Sequence, residues 1–409
     1  MRRIAWWLLL AFVFVIPWEY SLVLSAPFGN VARMAGLLVL AAAVPAVLQT
    51  GRLRTPGAMI GLVVAYYLWF CCTYFWTIDP ATTLEKLRGY FQETMIVWLV
   101  WEFVESPRDL RRVLRVWVAG SWVLAVLTLM NFASPAAMMV SQVRFAATGQ
   151  DPNDVARFLD LGFPVAALLA RSESRWAGRL LALGYLPLGL IAVLLTASRG
   201  GFVAAVAAVG GCAILLGTGH AKGVAAAALA LPVAVAGVWA AIPRGTLVRL
   251  ATIPAELEGG NLNQRLNIWS MGWRAFEQSP VVGTGAGSFA QAAHLTLIAT
   301  AHNTVLSIAA GGGLVALALV VSIVVLAAGT VLKTRGMLRL ALGTALAVWA
   351  VTSLVATVEE SRTTWLLLGA IAVAGRLAAQ EPEGLDACFL AEPHPRPTAV
   401  APGMALLPE

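Results

Sequence analysis

Charge is what this sequence has least of. Only 12% of its 409 residues are Asp, Glu, Lys or Arg, while 59% are apolar, and the mean hydropathy is +0.80. Soluble domains carry about a quarter charged residues, so a water-soluble globular fold is excluded. The 28 basic residues fall in short clusters between apolar runs and not on one polar face. That excludes nucleic acid as a partner. Cysteine is also scarce. Cys71, Cys72, Cys212 and Cys388 have no zinc-site spacing and read as small buried side chains. No small-residue cleavage site interrupts the apolar run from Ile4 to Leu24, so that run reads as a helix that stays in place. Metal-site signals are missing too. Asp151 and Asp154 flank Pro152-Asn153, which reads as a turn and helix cap, and no metal or other cofactor is expected.

What is present is one apolar run after another. With about 20 mostly apolar residues per crossing, the chain divides into about twelve spans. They fall at 4–24, 31–49, 57–77, 87–104, 111–131, 154–171, 177–196, 201–217, 222–242, 303–331, 337–357 and 363–380. The expected fold is an all-α polytopic membrane protein with four parts. Residues 1–242 hold the first nine transmembrane helices, 243–302 form a long polar loop or lid, and 303–380 hold the last three helices. Residues 381–409 form a Pro-rich tail with no apolar periodicity, expected to be disordered.

Lys and Arg in short loops mark the cytoplasmic side. Alternate segments carry Arg2 and Arg3, Arg52 and Arg54, Arg108 to Arg115, Arg171 to Arg179, Lys222, Lys333 to Arg339, and Arg376, whereas segments 25–30 and 78–85 carry none. Both termini are therefore expected in the cytoplasm and the 243–302 loop outside it. Apart from Lys86, the basic residues left on the outside are all arginine: Arg33, Arg88, Arg144, Arg157, Arg199, Arg244, Arg249, Arg265, Arg274 and Arg362. Arginine suits bidentate grip on phosphate oxygens. Each one singly is as well explained by headgroup anchoring or by ion pairs with Glu256, Glu258, Glu359 or Glu360; the whole set is not.

Within the outside set, Arg199 lies in the turn Thr196-Ala-Ser-Arg-Gly-Gly201, where two glycines are expected to turn the backbone. Arg265 starts a helix over 263–277, with Leu266, Trp269 and Trp273 on a face suited to the membrane interface. Arg144 lies in the loop before the sixth span. His302, followed by Asn303, stands at the mouth of the tenth span, where an imidazole can take a proton from a hydroxyl; alone, it reads equally as a polar cap. Gly283-x-Gly285-x-Gly287 lacks the strand of a nucleotide fingerprint and reads as a flexible turn.

Several stretches together resemble the O-antigen ligase and polymerase superfamily. They are Arg265-Leu-Asn-Ile-Trp269, Ala275-Phe276, Ser279-Pro-Val-Val-Gly-Thr-Gly-Ala-Gly-Ser-Phe289, Ala301-His-Asn303 and Gly311-Gly-Gly313, with Asp151-Pro-Asn153 and Ser198-Arg-Gly-Gly201 upstream. The resemblance implies a GT-C-like, metal-independent, inverting glycosyltransferase of the bacterial inner (cytoplasmic) membrane. Its donor would be an undecaprenyl-diphosphate-linked glycan and its acceptor, in the ligase branch, lipid A–core, among membrane lipids and with a periplasmic active site. It implies His302 as base and Arg199 and Arg265 as the donor diphosphate clamp; Arg144 and Asn303 are secondary candidates. An O-antigen polymerase or protein O-oligosaccharyltransferase shares donor and chemistry. A transporter or flippase is the rival of another class, for which Gln92 and Glu93 in the fourth span are the nearest signal. Glu359 and Glu360 are open: they orient His302 or Arg199, or pair with Arg362.

Overall fold

A computed structural model describes residues 1–25, 29–134, 143–217, 242–295 and 300–390. Helix α1 (Arg2–Val15) runs into a 3-10 turn (Ile16–Ser21) and a small antiparallel hairpin, β1 (Val23–Ser25) and β2 (Gly29–Asn30). Then come α2 (Val31–Thr50), α3 (Ala58–Thr73), α4 (Pro80–Phe103), α5 (Pro107–Phe132), α6 (Pro152–Ser172), α7 (Trp176–Leu195) and α8 (Arg199–Gly217). The polar interval holds α9 (Arg244–Ala251), α10 (Ile253–Glu258), α11 (Arg265–Gln278) and α12 (Phe289–Ala292). Helices α13 (Thr304–Lys333), α14 (Gly336–Ser353), α15 (Arg362–Gln380) and α16 (Pro382–Phe389) complete the chain.

Among the described residues, 8 helices are long and apolar enough to cross a membrane: α1 with its 3-10 turn, α2, α5, α7, α8, α13, α14 and α15. This is an all-α polytopic membrane protein. Helix α3 is apolar but shorter. Helices α4 and α6 have the length but carry ionisable groups, Glu93 and Glu102 in one and Arg157 and Asp160 in the other, and fold them into the bundle. The span expected at 222–242 falls outside the described residues except for Ile242. At the centre stands α6, buried at every position between 155 and 170 except Arg157 and packed against α5, α7, α8 and α14.

The two ends of the bundle differ. At one end Arg2 bonds Glu102 at 3.1 Å and Glu105 at 2.9 Å, Arg376 donates to the Trp101 carbonyl at 2.8 Å, and Arg111 and Arg115 meet Glu173. This is the end that the Lys/Arg pattern assigns to the cytoplasm. The start of the 381–409 tail also lies here and is not disordered: α16 buries Leu385 and Phe389 against α5, α6, α14 and α15. Two apolar side chains at i, i+4 suffice to pin a short helix when a partner surface is present, and the sequence shows only the pair, not the partner.

At the opposite end the polar interval is anchored by backbone. Helix α13 breaks at Gly313 (φ 67°), so the carbonyls before it are released from the helical ladder. The loop takes them: the Thr284 amide donates to Ala310 O at 2.8 Å and the Gly285 amide to Gly311 O at 2.9 Å. In return the Leu314 amide donates to Pro280 O at 2.8 Å. The Gly283-x-Gly285-x-Gly287 segment is thus a packed, buried clasp and not a flexible turn. A Cβ at Gly285 (φ 112°) would lie 2.1 Å from Thr77 Oγ1, and one at Gly313 would lie 2.2 Å from Val281 O. Gly313→Ala is expected to cost about 1–3 kcal/mol through the left-handed backbone alone, with the steric clash on top. A lower melting temperature of the detergent-solubilised protein checks this; an unchanged one means the clasp does not anchor the loop.

Candidate active site

Three turns at this second end carry the arginines. Helix α8 begins at Arg199 because Ser198 caps it: Ser198 Oγ accepts from the Gly201 amide at 3.1 Å and donates to Asn153 Oδ1 at 3.0 Å. Ala197 (φ 49°) makes the reversal. Gly200 and Gly201 do not turn the chain, as the sequence led us to expect; they let it pack. A Cβ on Gly201 would sit 2.3 Å from that of Ala156, and one on Gly200 2.8 Å from Val355 Cγ2. Helix α11 begins at Arg265 after three successive left-handed residues, Leu262 (φ 49°), Asn263 (φ 59°) and Gln264 (φ 65°). Non-glycine residues in that region cost about 1–2 kcal/mol each, and such strain persists where surrounding structure over-determines it, often at functional sites.

Arg199 and Arg265 are each the first residue of a helix. The N-terminal end of a helix dipole is already positive and ordinarily attracts acids. Arginines there add to the positive potential, an arrangement that favours an anion. Arg199 donates to Thr252 Oγ1 at 2.7 Å and meets Glu256 Oε1 at 3.0 Å. It is interlocked with Arg249, whose Nε donates to Ala197 O at 3.2 Å. Arg144 donates to Thr196 O at 3.1 Å and Asn153 Oδ1 at 2.8 Å. Burial lowers the pKa of Arg144, Arg249 and Arg265 from the ordinary arginine value, and neighbouring guanidiniums lower it further. All stay protonated at neutral pH.

Arg144, Arg199, Arg249 and Arg265 line one cavity of about 320 Å³ with Asn153 and a single carboxylate, Glu256. Val203, Ile253, Leu262, Val351, Leu354 and Val355 form much of the rest of its wall. A larger cavity of about 950 Å³ lies at the opposite end of the bundle, where Glu102, Glu105 and Asp109 offset its arginines. Of these two, the smaller sets four arginines against one carboxylate beside a largely apolar wall.

His302 does not line that cavity. It stands half-buried in a left-handed conformation (φ 47°), its Nδ1 3.5 Å from Thr300 Oγ1. Burial lowers its pKa, and the nearby Arg265 cation lowers it further, so the imidazole is neutral at pH 7. Neighbours fix it on both sides. Trp269 Nε1 donates to Ala301 O at 3.1 Å; Asn303 caps α13 by accepting from the Leu306 amide at 2.9 Å and donates to Leu354 O at 3.1 Å. Asn303 therefore spends both ends of its amide on structure.

Of the residues singled out from sequence, Arg144, Arg199 and Arg265 come together, with His302 beside Arg265. Arg249 and Asn153 were missed as site residues, since nothing local separates Arg249 from other outside arginines. Trp269 was placed in an interfacial stripe. In fact Ile268, Gly272 and Ala275 face inward, Leu266 and Trp273 face outward, and Trp269 reaches the histidine segment. Glu359 and Glu360 contact neither His302 nor Arg199 by hydrogen bond or ion pair. Glu360 meets Lys86 at 2.5 Å, and Arg362 pairs instead with Glu19 and donates to Gln92 Oε1 at 2.6 Å. Glu359 is 2% exposed, and burial with Glu360 nearby pushes its pKa up to about 8.

Residues 184–321 match the family model described as O-antigen ligase. The matched span runs from within α7, through Arg199, Arg249, Arg265 and His302, to beyond the break in α13. No curated protein matches the chain.

Proposed function

We propose that this chain is a member of the O-antigen ligase family, whose model matches residues 184–321, and that it transfers the glycan of an undecaprenyl-diphosphate donor to a lipid A–core hydroxyl at the periplasmic face of the inner membrane. The observation that carries the reading is the cavity at the outer end, with four arginines, one carboxylate and an apolar wall. A lipid diphosphate has the matching parts: an anionic head and a chain that needs an apolar groove between helices.

In the proposed reaction the acceptor oxygen attacks the anomeric carbon from the side opposite the diphosphate. His302 takes the proton of that hydroxyl. The new C–O bond forms as the old glycosidic C–O bond breaks, inverting the centre, and the bonding electrons leave on the diphosphate. Arg199 and Arg265 face the growing negative charge already fixed in place, and preorganised charge of this kind is usually what lowers a reaction barrier most. Arg249 and Arg144 complete the clamp. Glu256 holds Arg199 until a phosphate oxygen replaces it. The positive charge needed by the leaving group is then supplied by side chains, without a metal.

Purified protein in detergent, given lipid-diphosphate-linked glycan and lipid A–core with EDTA present and no gradient, is expected to yield glycosylated acceptor and free undecaprenyl diphosphate. Transfer that requires a divalent metal would overturn the mechanism. Elongation of the donor glycan alone would identify a polymerase, and glycosylation of added protein alone an oligosaccharyltransferase. A transporter is the reading that buried Asp160 and Glu93 favour, but neither lines any of the cavities described above. Lipid translocation without transfer would establish it.

A further inference from the structure

The outside arginines divide into groups. Arg144, Arg199, Arg249 and Arg265 share the cavity described above, and Arg157 and Arg362 are tied to Asp154 and Glu19. Arg33, Arg88, Arg244 and Arg274 belong to neither group, and of these Arg33 and Arg88 come together. The side chains of Arg33 and Arg88 are exposed and make no hydrogen bond or ion pair among the described residues. Both stand on a separate groove of about 360 Å³ walled by α1, α2, α3 and α4.

The groove exists because α2 is held mainly from one side. A small-residue stripe, Ala32, Val39, Ala43 and Ala46, packs on α1, and only 22% of the apolar window of α2 is buried. Helix α2 therefore stands off from α4. Gly36 keeps the wall open where it passes the Phe12 ring; a Cβ there would be 3.3 Å from it. On α4 a stripe at 84, 87, 91, 95 and 99 faces the gap. From Arg88 to Leu99 the helix rises about 16 Å, roughly half of the ~30 Å hydrocarbon core. A cationic mouth thus sits above an apolar channel one leaflet deep.

We propose that this groove binds an anionic phospholipid of the surrounding bilayer. Arg33 and Arg88 hold its phosphate, and an acyl chain lies along Leu37, Leu40, Phe91 and Leu99. A bidentate guanidinium fork matches phosphate oxygens. The groove recognises a phosphate and a chain but not a sugar: besides the two arginines its polar wall is Gln92, Tyr67 and Cys71, and Gln92 already accepts from Arg362. It shares no lining residue with the arginine cavity. The site is therefore a lipid clamp at the hairpin end of α2, independent of whether the protein transfers glycan.

Native mass spectrometry of the delipidated protein tests this. On titration with phosphatidylglycerol or phosphatidylethanolamine, one phosphatidylglycerol is expected to be retained in preference, and Arg33→Ala/Arg88→Ala to weaken its retention by roughly tenfold or more. Size-exclusion profile and melting temperature report whether the double variant is folded. A second reading uses Cys71 in the groove wall: in a Cys72→Ala background, phosphatidylglycerol slows its alkylation by maleimide. Equal retention of the two lipids, or full retention by a folded double variant, overturns the proposal. So does displacement of phosphatidylglycerol by lipid A–core at equal concentration, which would assign the groove to the acceptor.

Discussion

His302→Asn is expected to abolish nearly all of the proposed glycan transfer while the donor still binds. Asparagine is the informative replacement because it tolerates the left-handed backbone that His302 adopts (φ 47°), so fold and the α13 cap survive. General-base catalysis contributes typically 10²–10⁴-fold, and a loss of about that size in kcat with little change in donor KM is expected. The pH profile gives the sign. A base acts only when unprotonated, and burial together with the Arg265 cation lowers the His302 pKa. The acid limb of activity is therefore expected on the low-pH side of the ordinary histidine value. Arg265→Gln removes one of the causes of that lowering, so the acid limb of the residual activity moves to higher pH. A wild-type limb above the ordinary histidine range, or one that does not respond to Arg265→Gln, would exclude His302 as the titrating base.

Arg199→Ala and Arg265→Ala carry the second large effect. Removing one preorganised donor to a developing oxyanion costs about 10²–10³-fold in kcat, and both substitutions are expected to fall in that range. The difficulty is that Arg199 also pairs with Glu256 at 3.0 Å, so a loss could come from a stranded carboxylate. Arg199→Ala/Glu256→Gln separates the two causes. If Arg199 serves the leaving diphosphate, the double variant remains inactive, and Glu256→Gln alone keeps activity. Recovery of transfer in the double variant would reduce Arg199 to a structural ion pair. Arg199→Lys keeps the charge but not the planar fork, so a partial loss, mostly in donor KM, is expected.

Much of the arginine-bearing end was legible in sequence because its signals are local. Asp151 accepts from the Asn153 amide at 2.7 Å as the cap of α6, and the helix expected over 263–277 is Arg265–Gln278. The glycines were misread because a Gly-x-Gly pattern does not reveal whether the freedom is used for motion or for close approach; only the broken α13 supplies the carbonyls that make it a clasp. Glu19 as partner of Arg362, 343 residues away, has no sequence signal of any kind.

By itself the sequence determined that this chain lives in a membrane and which of its ends is rich in Lys and Arg. It also determined that the basic residues kept at the other end are, apart from Lys86, arginines. Those properties follow from composition and from the cost of placing polar groups in hydrocarbon, which depend on residue type and order alone. Which arginines act together was decided only by the tertiary structure. Charge in a loop has no address until helix packing brings it within a few ångströms of another charge. The packing of α6, α8 and α14 puts Arg144, Arg199, Arg249 and Arg265 around one cavity, and the standing-off of α2 gives Arg33 and Arg88 another.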